Sequence, residues 1–265
     1  MSKWAAISVD LEPNKDGTLE GVTEAMEWFN ETVPRGTVYA TYRIATELPG
    51  PIADMANDHE IGVHVHPREF GHEHDSLAQL DGERQRELII ETRAAVADAA
   101  DLKPNNLVAF RAGRHSASDT TISVLADLGF TVDASVNVNY NEHLPHSLLG
   151  HQAPFKIRSG LVELPTTYGH PPIISRIGVR AFPSRTVTAT ANTLRTDKRG
   201  TTGLTVLRWL LDLDSPFSFY MHPYDATSYQ TGLENNGKIF TGRFESLLDG
   251  YGGEFLTASD VFHYQ

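Results

Sequence analysis

Short apolar runs alternate with amphipathic segments along this chain, and run after run ends in an ionisable residue. "WAAISVDLE" closes on Asp10 and Glu12, "EIGVHVH" on His64 and His66, "NLVAFR" on Arg111, "TVD" on Asp133 and "PFSFYMH" on His222. Short runs rich in β-branched and aromatic residues read as buried strands. Between them, "TLEGVTEAMEWFNETV", "DGERQRELIIETRAAVADAADL", "SASDTTISVLADLGF", "TTGLTVLRWLLDLD" and "GRFESLLDGY" carry apolar residues at helical spacing. Strand alternating with helix predicts a parallel sheet with its helices outside. All strands then point one way, and their C-terminal ends form one rim, the place where parallel α/β barrels assemble active sites. Seven residues scattered from position 10 to position 222 are thereby expected to become neighbours. With seven or eight strand–helix units and no linker, one barrel-like domain spanning residues 1–265 is expected.

Local signals refine this pattern. Thr18 is a plausible cap for the first helix, and Ser116 or Ser118 for the helix after Arg111. "ATELPGPIADMANDH" reads as a helix broken by its prolines. Residues 137–160 read as a long loop, 168–200 as irregular or inserted, and "GEFLTASD" as the final strand.

Composition narrows the function classes. A formal net charge of −12 argues against a nucleic-acid partner, which needs clustered Lys and Arg, and weakly against an anionic membrane. The 22 basic residues divide into 6 Lys and 16 Arg, and this low-lysine, acid-rich balance is compatible with a high-salt cytoplasm. With no cysteine, any metal must be held by His, Asp or Glu. "MSKWAAISVDLEP" enters a strand directly, without a signal-peptide core, and the chain carries no membrane-spanning run, so a cytoplasmic protein is expected. Nothing in the pattern specifies an oligomeric state.

The individual constellations each admit a chemical and a plain reading. Asp10 and Glu12, two apart on a strand, share a face. One could bind metal while the other takes a proton from water, or Asp10 could cap a loop and Glu12 be solvated. "GVHVHP" repeats the geometry with His64 and His66, and Pro67 biases His66 toward extended backbone. Two imidazoles and one carboxylate suit Zn²⁺ with a position left open for water. His72 and His74, in a Gly- and Glu-flanked loop, are expected in solvent. Arg111 could hold a carboxylate in its charged form, or make a surface salt bridge. His222, delivered by "FSFYM" and followed by a proline, suits a general acid or a satisfied core histidine.

Taken in order, "SVDLEP", "HEIGVHVHP", "FRAGRHSAS", "GFTVDASV", "LVELP", "FYMHPYD" and "FLTASDV" resemble the polysaccharide deacetylases with a NodB homology domain, carbohydrate esterase family 4. The resemblance covers about residues 4–262. It implies a distorted (β/α) barrel of about seven parallel strands and metal-dependent hydrolysis of an acetyl group on a sugar. It implies Asp10 as catalytic base, Arg111 as the arginine that holds it, His222 as general acid and Asp133 as the acid that orients His222. The family's adjacent Asp–Asp becomes Asp-Leu-Glu here, so Glu12 inherits the ligand role by a shift of one residue. The family's two metal histidines stand four apart. His64 matches the first, but Arg68 occupies the second position and cannot ligate a metal. His66 is the natural substitute, giving a Glu12–His64–His66 set for a divalent ion: zinc, with cobalt or nickel as alternatives.

Three readings follow from the resemblance and its departure at Arg68. The first is a metal-dependent deacetylase of N-acetylated carbohydrate. The second is an intracellular hydrolase of a small linear or cyclic amide. The third is a metal-free, inactive carbohydrate-binding relative.

Overall fold

The computed structural model describes residues 3–140, 142–157, 160–169, 187–195, 200–213, 215–227 and 237–263. The first half runs β1 (Trp4–Leu11), α1 (Val22–Thr32), β2 (Thr37–Ala40), α2 (Tyr42–Glu47), α3 (Pro49–Met55), β3 (Glu60–Val65), α4 (Gly82–Ala99), β4 (Ala109–Ala112) and α5 (Asp119–Asp127). The short strands β5 (Val132–Asp133), β6 (Phe155–Lys156), β7 (Val162–Glu163), β8 (Tyr168–Gly169) and β9 (Val187–Thr188) follow. The chain ends with α6 (Ala191–Leu194), α7 (Gly200–Leu211), β10 (Phe217–Met221), α8 (Pro223–Ala226), α9 (Gly237–Leu248), β11 (Glu254–Phe255) and α10 (Ala258–His263).

The main sheet has the order β10-β1-β2-β3-β4-β5-β7-β6, with β11 added beside the start of β1. Every pairing in it is parallel except β6 against β7. The sheet curls, and residues 164–167 cross from one side of its opening to the other. Leu164 N–H donates to Asp133 O at 2.8 Å, Thr166 N–H to Val136 O at 2.9 Å, and Thr167 N–H to Ser218 O at 3.0 Å. This is the distorted barrel that strand–helix alternation and the resemblance led us to expect.

Alternation along the strands divides the interior in two. Ile7, Val9 and Leu11 of β1 join Val38, Val63, Phe110 and Phe219 in the apolar layer under the helices. Trp4 and Ala6 point the other way, into the barrel, where Tyr39, Ala109, Val132 and Leu256 pack with Val261 of α10. That apolar plug fills one end of the barrel. Farther along the same inward face stand Ser8 and Asp10, both buried, so the barrel turns polar toward its C-terminal rim.

Local chemistry explains most boundaries. Asp81 caps α4 by accepting from Arg84 N–H at 2.9 Å. Ser118, not Ser116, caps α5, in a reciprocal capping box with Thr121. The break between α2 and α3 falls at Leu48, before Pro49. Thr18 does not cap α1: its side chain is used by Asn14 and Asp16 in the preceding turn, and Gly21 opens the helix. The final strand is only Glu254–Phe255, because Asp260 accepts from Thr257 N–H and the chain turns into α10. Much of 168–200, expected to be irregular, lies outside the described residues; the described part holds the β8–β9 pair and α6.

One feature of the wall titrates. Asp133 and Glu163 face each other in register across β5 and β7, both fully buried. Asp133 Oδ1 accepts from Ser135, and Glu163 Oε1 from Val136 N–H at 2.8 Å. Burial pushes Asp133 up to about 6, offset in part by the Ser135 hydrogen bonds. Burial and the neighbouring charge of Asp133 hold Glu163 well above the carboxylate range. Acids raised on folding stabilise the protein at low pH and lose that contribution as pH rises through the folded value. Glu163→Gln keeps an acceptor for Val136 and offers Asp133 a permanent N–H donor. Chemical denaturation from about pH 5 to about pH 8 should therefore show a decline in stability that is smaller in Glu163→Gln by on the order of 2 kcal/mol. Parallel declines in the two proteins would contradict this.

Candidate active site

The polar rim is assembled by register. Val9 pairs with Met221, which sets Asp10 beside His222; Asp10 itself pairs with Tyr39, and His64 with Arg111. Residues side by side in a parallel ladder share a face, so Asp10, Tyr39, His64, Arg111 and His222 all look inward.

Arg111 is the buried centre, 1% exposed. Its Nη1 donates to Asp10 Oδ1 and, at 3.0 Å, to Ser8 Oγ; its Nε donates to Ala134 O at 2.9 Å. The guanidinium lies 4.3 Å from the Tyr39 ring centre and 5.2 Å from that of Tyr220. Gly62 makes the Tyr39 placement possible, since a Cβ there would stand 2.7 Å from Tyr39 Cδ1. Burial alone would raise the Asp10 carboxyl, but Arg111, with His64 and His222, outweighs it and holds Asp10 below its ordinary value.

Beside Asp10, Glu12, His64 and His66 converge. Glu12 Oε2 is 2.8 Å from His66 Nε2 and 3.6 Å from His64 Nε2, and the two Nε2 atoms are 3.1 Å apart. One ligand atom from each residue lies within 4.8 Å of the others. His64 Nδ1–H donates to Arg111 O at 2.9 Å, and His66 Nδ1–H to Asp75 Oδ2 at 2.8 Å. Committing both outer nitrogens leaves both Nε2 atoms to point lone pairs inward, the arrangement that metal-bound histidines use. A cation, whether a proton on His66 or a metal ion, has to stand among these three atoms. Burial opposes charge on His66, but Glu12 and Asp75 overcome it and raise its pKa well above the ordinary value. A Cβ on Gly113 would stand 2.9 Å from His66 Cδ2 and Cε1 and 2.6 Å from Val65 O, so this glycine makes room for the His66 ring. The residues present thus fit a divalent ion held by one carboxylate and two imidazoles. Arg68 stays outside the set: its backbone N–H donates to Asp75 Oδ1 at 3.2 Å, and its Nε reaches Glu73 O at 3.4 Å.

On the other side of Asp10, His222 Nε2 lies 4.0 Å from Asp10 Oδ2 and 3.8 Å from Glu12 Oε1. Its Nδ1–H donates to Asp225 Oδ2 at 3.1 Å, and the other oxygen of Asp225 pairs with Arg195. His222 stacks on Tyr224, whose hydroxyl donates to Glu12 Oε1 at 3.2 Å. Burial disfavours the imidazolium, yet Asp225, Glu12 and Asp10 raise the His222 pKa above its ordinary value.

Six of the seven residues expected at the rim are brought together, and Asp133 is not. It pairs in register with Phe110, which belongs to the layer under the helices, while Ala134 carries the inward direction beside Arg111. The acid on His222 is Asp225 instead. The sequence offered a signal for Asp225, three residues after His222 and behind a proline that starts a helical turn; it offered none for Asp75, which a loop brings back to His66. His74 is exposed as expected, whereas His72 is half-buried and accepts from Arg84 Nε at 3.1 Å.

Asp10, Glu12, His64, His66, Asp75, His222 and Asp225 open into one cleft of about 840 Å³, also lined by His115, Tyr140 and Tyr220. His115 is buried, which pushes its pKa down to about 3, and packs as a neutral ring against both tyrosines. Arg114 and His115 have φ of +54° and +56°, a costly conformation for residues with a Cβ.

No protein-family profile and no curated protein matches the chain. Solved structures do. A protein from Mycobacterium smegmatis assigned as a polysaccharide deacetylase superposes with a TM-score of 0.64 at 18% identity, over 99% of this chain and 90% of that one. A family 4 acetyl xylan esterase from Clostridium thermocellum, in complex with a cobalt ion, gives 0.55 at 14% identity over 99% and 91%. A CE4 family pseudoenzyme from Bacillus anthracis gives 0.54 at 10% identity over 98% and 66%. The chain therefore has the fold of the polysaccharide deacetylases and family 4 carbohydrate esterases.

The carboxylate behind His66 and the space beside its ring are both open to test. Asp75→Asn and Gly113→Ala should each weaken Zn²⁺ binding about 10- to 100-fold in calorimetric titration, with the folded state retained by circular dichroism. Unchanged affinity in both would remove His66 from the ligand set.

Proposed function

We propose that this protein is a metal-dependent hydrolase that removes acetyl groups from N-acetylated carbohydrate. The observation that supports it most is the convergence of three units on one cleft: the Glu12–His64–His66 set, Asp10 held by Arg111, and His222 held by Asp225. Glu12, His64 and His66 would hold the ion, and zinc suits their mixed nitrogen and oxygen donors best. Once bound it would polarise the acyl carbonyl and ease the ionisation of a water.

Asp10 acts as the base. Its Oδ1 is fixed by Arg111 while Oδ2 faces the cleft side, so one oxygen remains to take the water's proton. Arg111 keeps Asp10 ionised and fixes its direction without touching substrate. His222 supplies the proton that the departing nitrogen needs, from Nε2, while Asp225 holds the opposite nitrogen and stabilises the charged ring. The depressed Asp10 and the elevated His222 thus leave base and acid in their working forms together over the interval between their two values.

The test is hydrolysis of N-acetylated oligosaccharides by protein loaded with Zn²⁺, Co²⁺ or Ni²⁺, beside a panel of small linear and cyclic amides. Asp10→Asn and His222→Ala should each lower kcat at least about 100-fold while metal binding survives in Asp10→Asn. The structural likeness to a pseudoenzyme gives the inactive, carbohydrate-binding reading a specific form. Metal-loaded protein that binds glycan and hydrolyses nothing on either panel would establish that reading in place of the hydrolase. Turnover of small amides alone would move the substrate and keep the chemistry.

Asp225 carries a pH signature. Its charge raises the His222 pKa, so Asp225→Asn should lower that value and move the alkaline limb of kcat/KM toward lower pH, leaving the acid limb in place. An unmoved alkaline limb would mean that His222 is not the acid.

A further inference from the structure

We propose that the substrate of this site is an anion, bound through its carboxylate or phosphate by Arg68 and Arg114 on one wall of the cleft, with Lys15 as a third cation. The inference rests on the hydrolase reading for the bond that is cleaved, but not for the binding.

The carboxylates and the cations of the cleft are unequally paired. Among its carboxylates, Asp10 is held by Arg111, Glu12 and Asp75 by the two ring nitrogens of His66, and Asp225 by His222 and Arg195. Glu142 is the one lining acid without such a partner among the described residues. Arg68, Arg114 and Lys15 line the same cleft, and none has a carboxylate within ion-pair distance among the described residues.

Most other arginines among the described residues pair with a carboxylate or bond backbone carbonyls, as Arg68 does once, through Nε to Glu73 O. Arg35 pairs with Asp260, Arg43 with Glu47, Arg84 with Glu87 and Arg86 with Asp127. Arg93 and Arg208 spend their guanidinium groups on backbone carbonyls. In a chain with 34 acidic against 22 basic residues, partners are plentiful. Arg68 and Arg114 are exposed to the cleft, and no carboxylate pairs with either among the described residues, so both keep guanidinium N–H groups for a ligand.

Their positions suit recognition. β3 and β4 are neighbours, and Arg68 and Arg114 lie just beyond their ends, on the side of the cleft that holds His66. Arg68 feels the field of Asp75, but both oxygens of that carboxylate are occupied, by His66 and by the backbone N–H of Arg68. Arg114 follows Gly113 directly and sits at positive φ, a strained backbone that points to a constraint on where this residue must stand. Across the cleft, the Lys15 ammonium stands 5.2 Å from the Tyr224 ring centre, near Arg195. A planar guanidinium matches carboxylate or phosphate oxygens in pairs, and two of them on one wall define an anion subsite.

The test compares three matched compounds on the zinc-loaded protein: N-acetylglucosamine, N-acetylglucosamine 1-phosphate and N-acetylmuramic acid. One or both charged members should be preferred about tenfold or more in kcat/KM, chiefly through KM, and the preference should shrink with added salt. Preference for the phosphate or for the carboxylate member identifies the source of the charge. In R68Q/R114Q the ratio of charged to neutral substrate should collapse toward one. General damage to folding or metal binding would lower all three rates and leave the ratio intact. Equal kcat/KM for the three compounds, or a preference that persists in the double variant, would overturn the proposal. If nothing is hydrolysed, calorimetric binding of the same three compounds decides it separately. A charge preference that the double variant loses supports the subsite, and its absence ends it.

Discussion

The interior of this barrel is organised around one buried guanidinium. Taking Arg111 out of water carries a penalty of several kcal/mol, and everything around it offsets that penalty. Asp10 supplies the opposite charge, Ser8 and Ala134 each accept one further N–H, and Tyr39 and Tyr220 lie against its faces. Tyr39 in turn needs the missing side chain of Gly62. The backbone carbonyl of the same arginine receives His64 Nδ1–H, so Arg111 orients Asp10 with its side chain and the His64 imidazole with its main chain. A change at this residue reaches both halves of the site at once.

That coupling decides how the three charged units coexist. His222 Nε2 stands 4.0 Å from Asp10 and 3.8 Å from Glu12, so one imidazole faces two carboxylates. Two bare carboxylates so close would push one pKa up. Each instead has its own cation: Arg111 for Asp10, and the histidine pair, with whatever cation stands among them, for Glu12. Asp225 does the same for His222 from behind. The site is thus a set of separately balanced pairs whose unspent atoms, Asp10 Oδ2 and His222 Nε2, face the cleft.

What the sequence made legible follows from strand geometry. Side chains two apart share a face, so Asp10 with Glu12 and His64 with His66 could be placed together, and parallel strands with ends at one rim gathered Arg111 and His222 with them. Asp133 shows where this logic stops. β5 is only two residues long, and in so short a strand nothing in the sequence fixes which residue faces inward. A slip of one residue turns a side chain to the opposite face, and Asp133 lies on the helix side with Phe110. Asp75 was out of reach for another reason: it returns to His66 through a loop, and no periodic pattern records a loop's path. Thr18 was lost to a competing local turn, since Asx and Ser/Thr side chains serve turns as readily as caps.

The same strand geometry gives the substitution at position 68 its meaning. A ligand pair spaced four apart places its second histidine beyond the strand end, on the turn that follows. A pair spaced two apart keeps both on the strand, where the sheet itself fixes their separation. Two consequences follow. The turn at Pro67–Phe70 presents no atom to the Glu12–His64–His66 cluster, and its second residue, Arg68, lines the cleft. The His66 ring, now nearer the sheet, needs space beside β4, and the backbone at Gly113 provides it. The space that Gly113 leaves beside the His66 ring and the outward course of Arg68 thus both accompany a histidine pair kept on one strand.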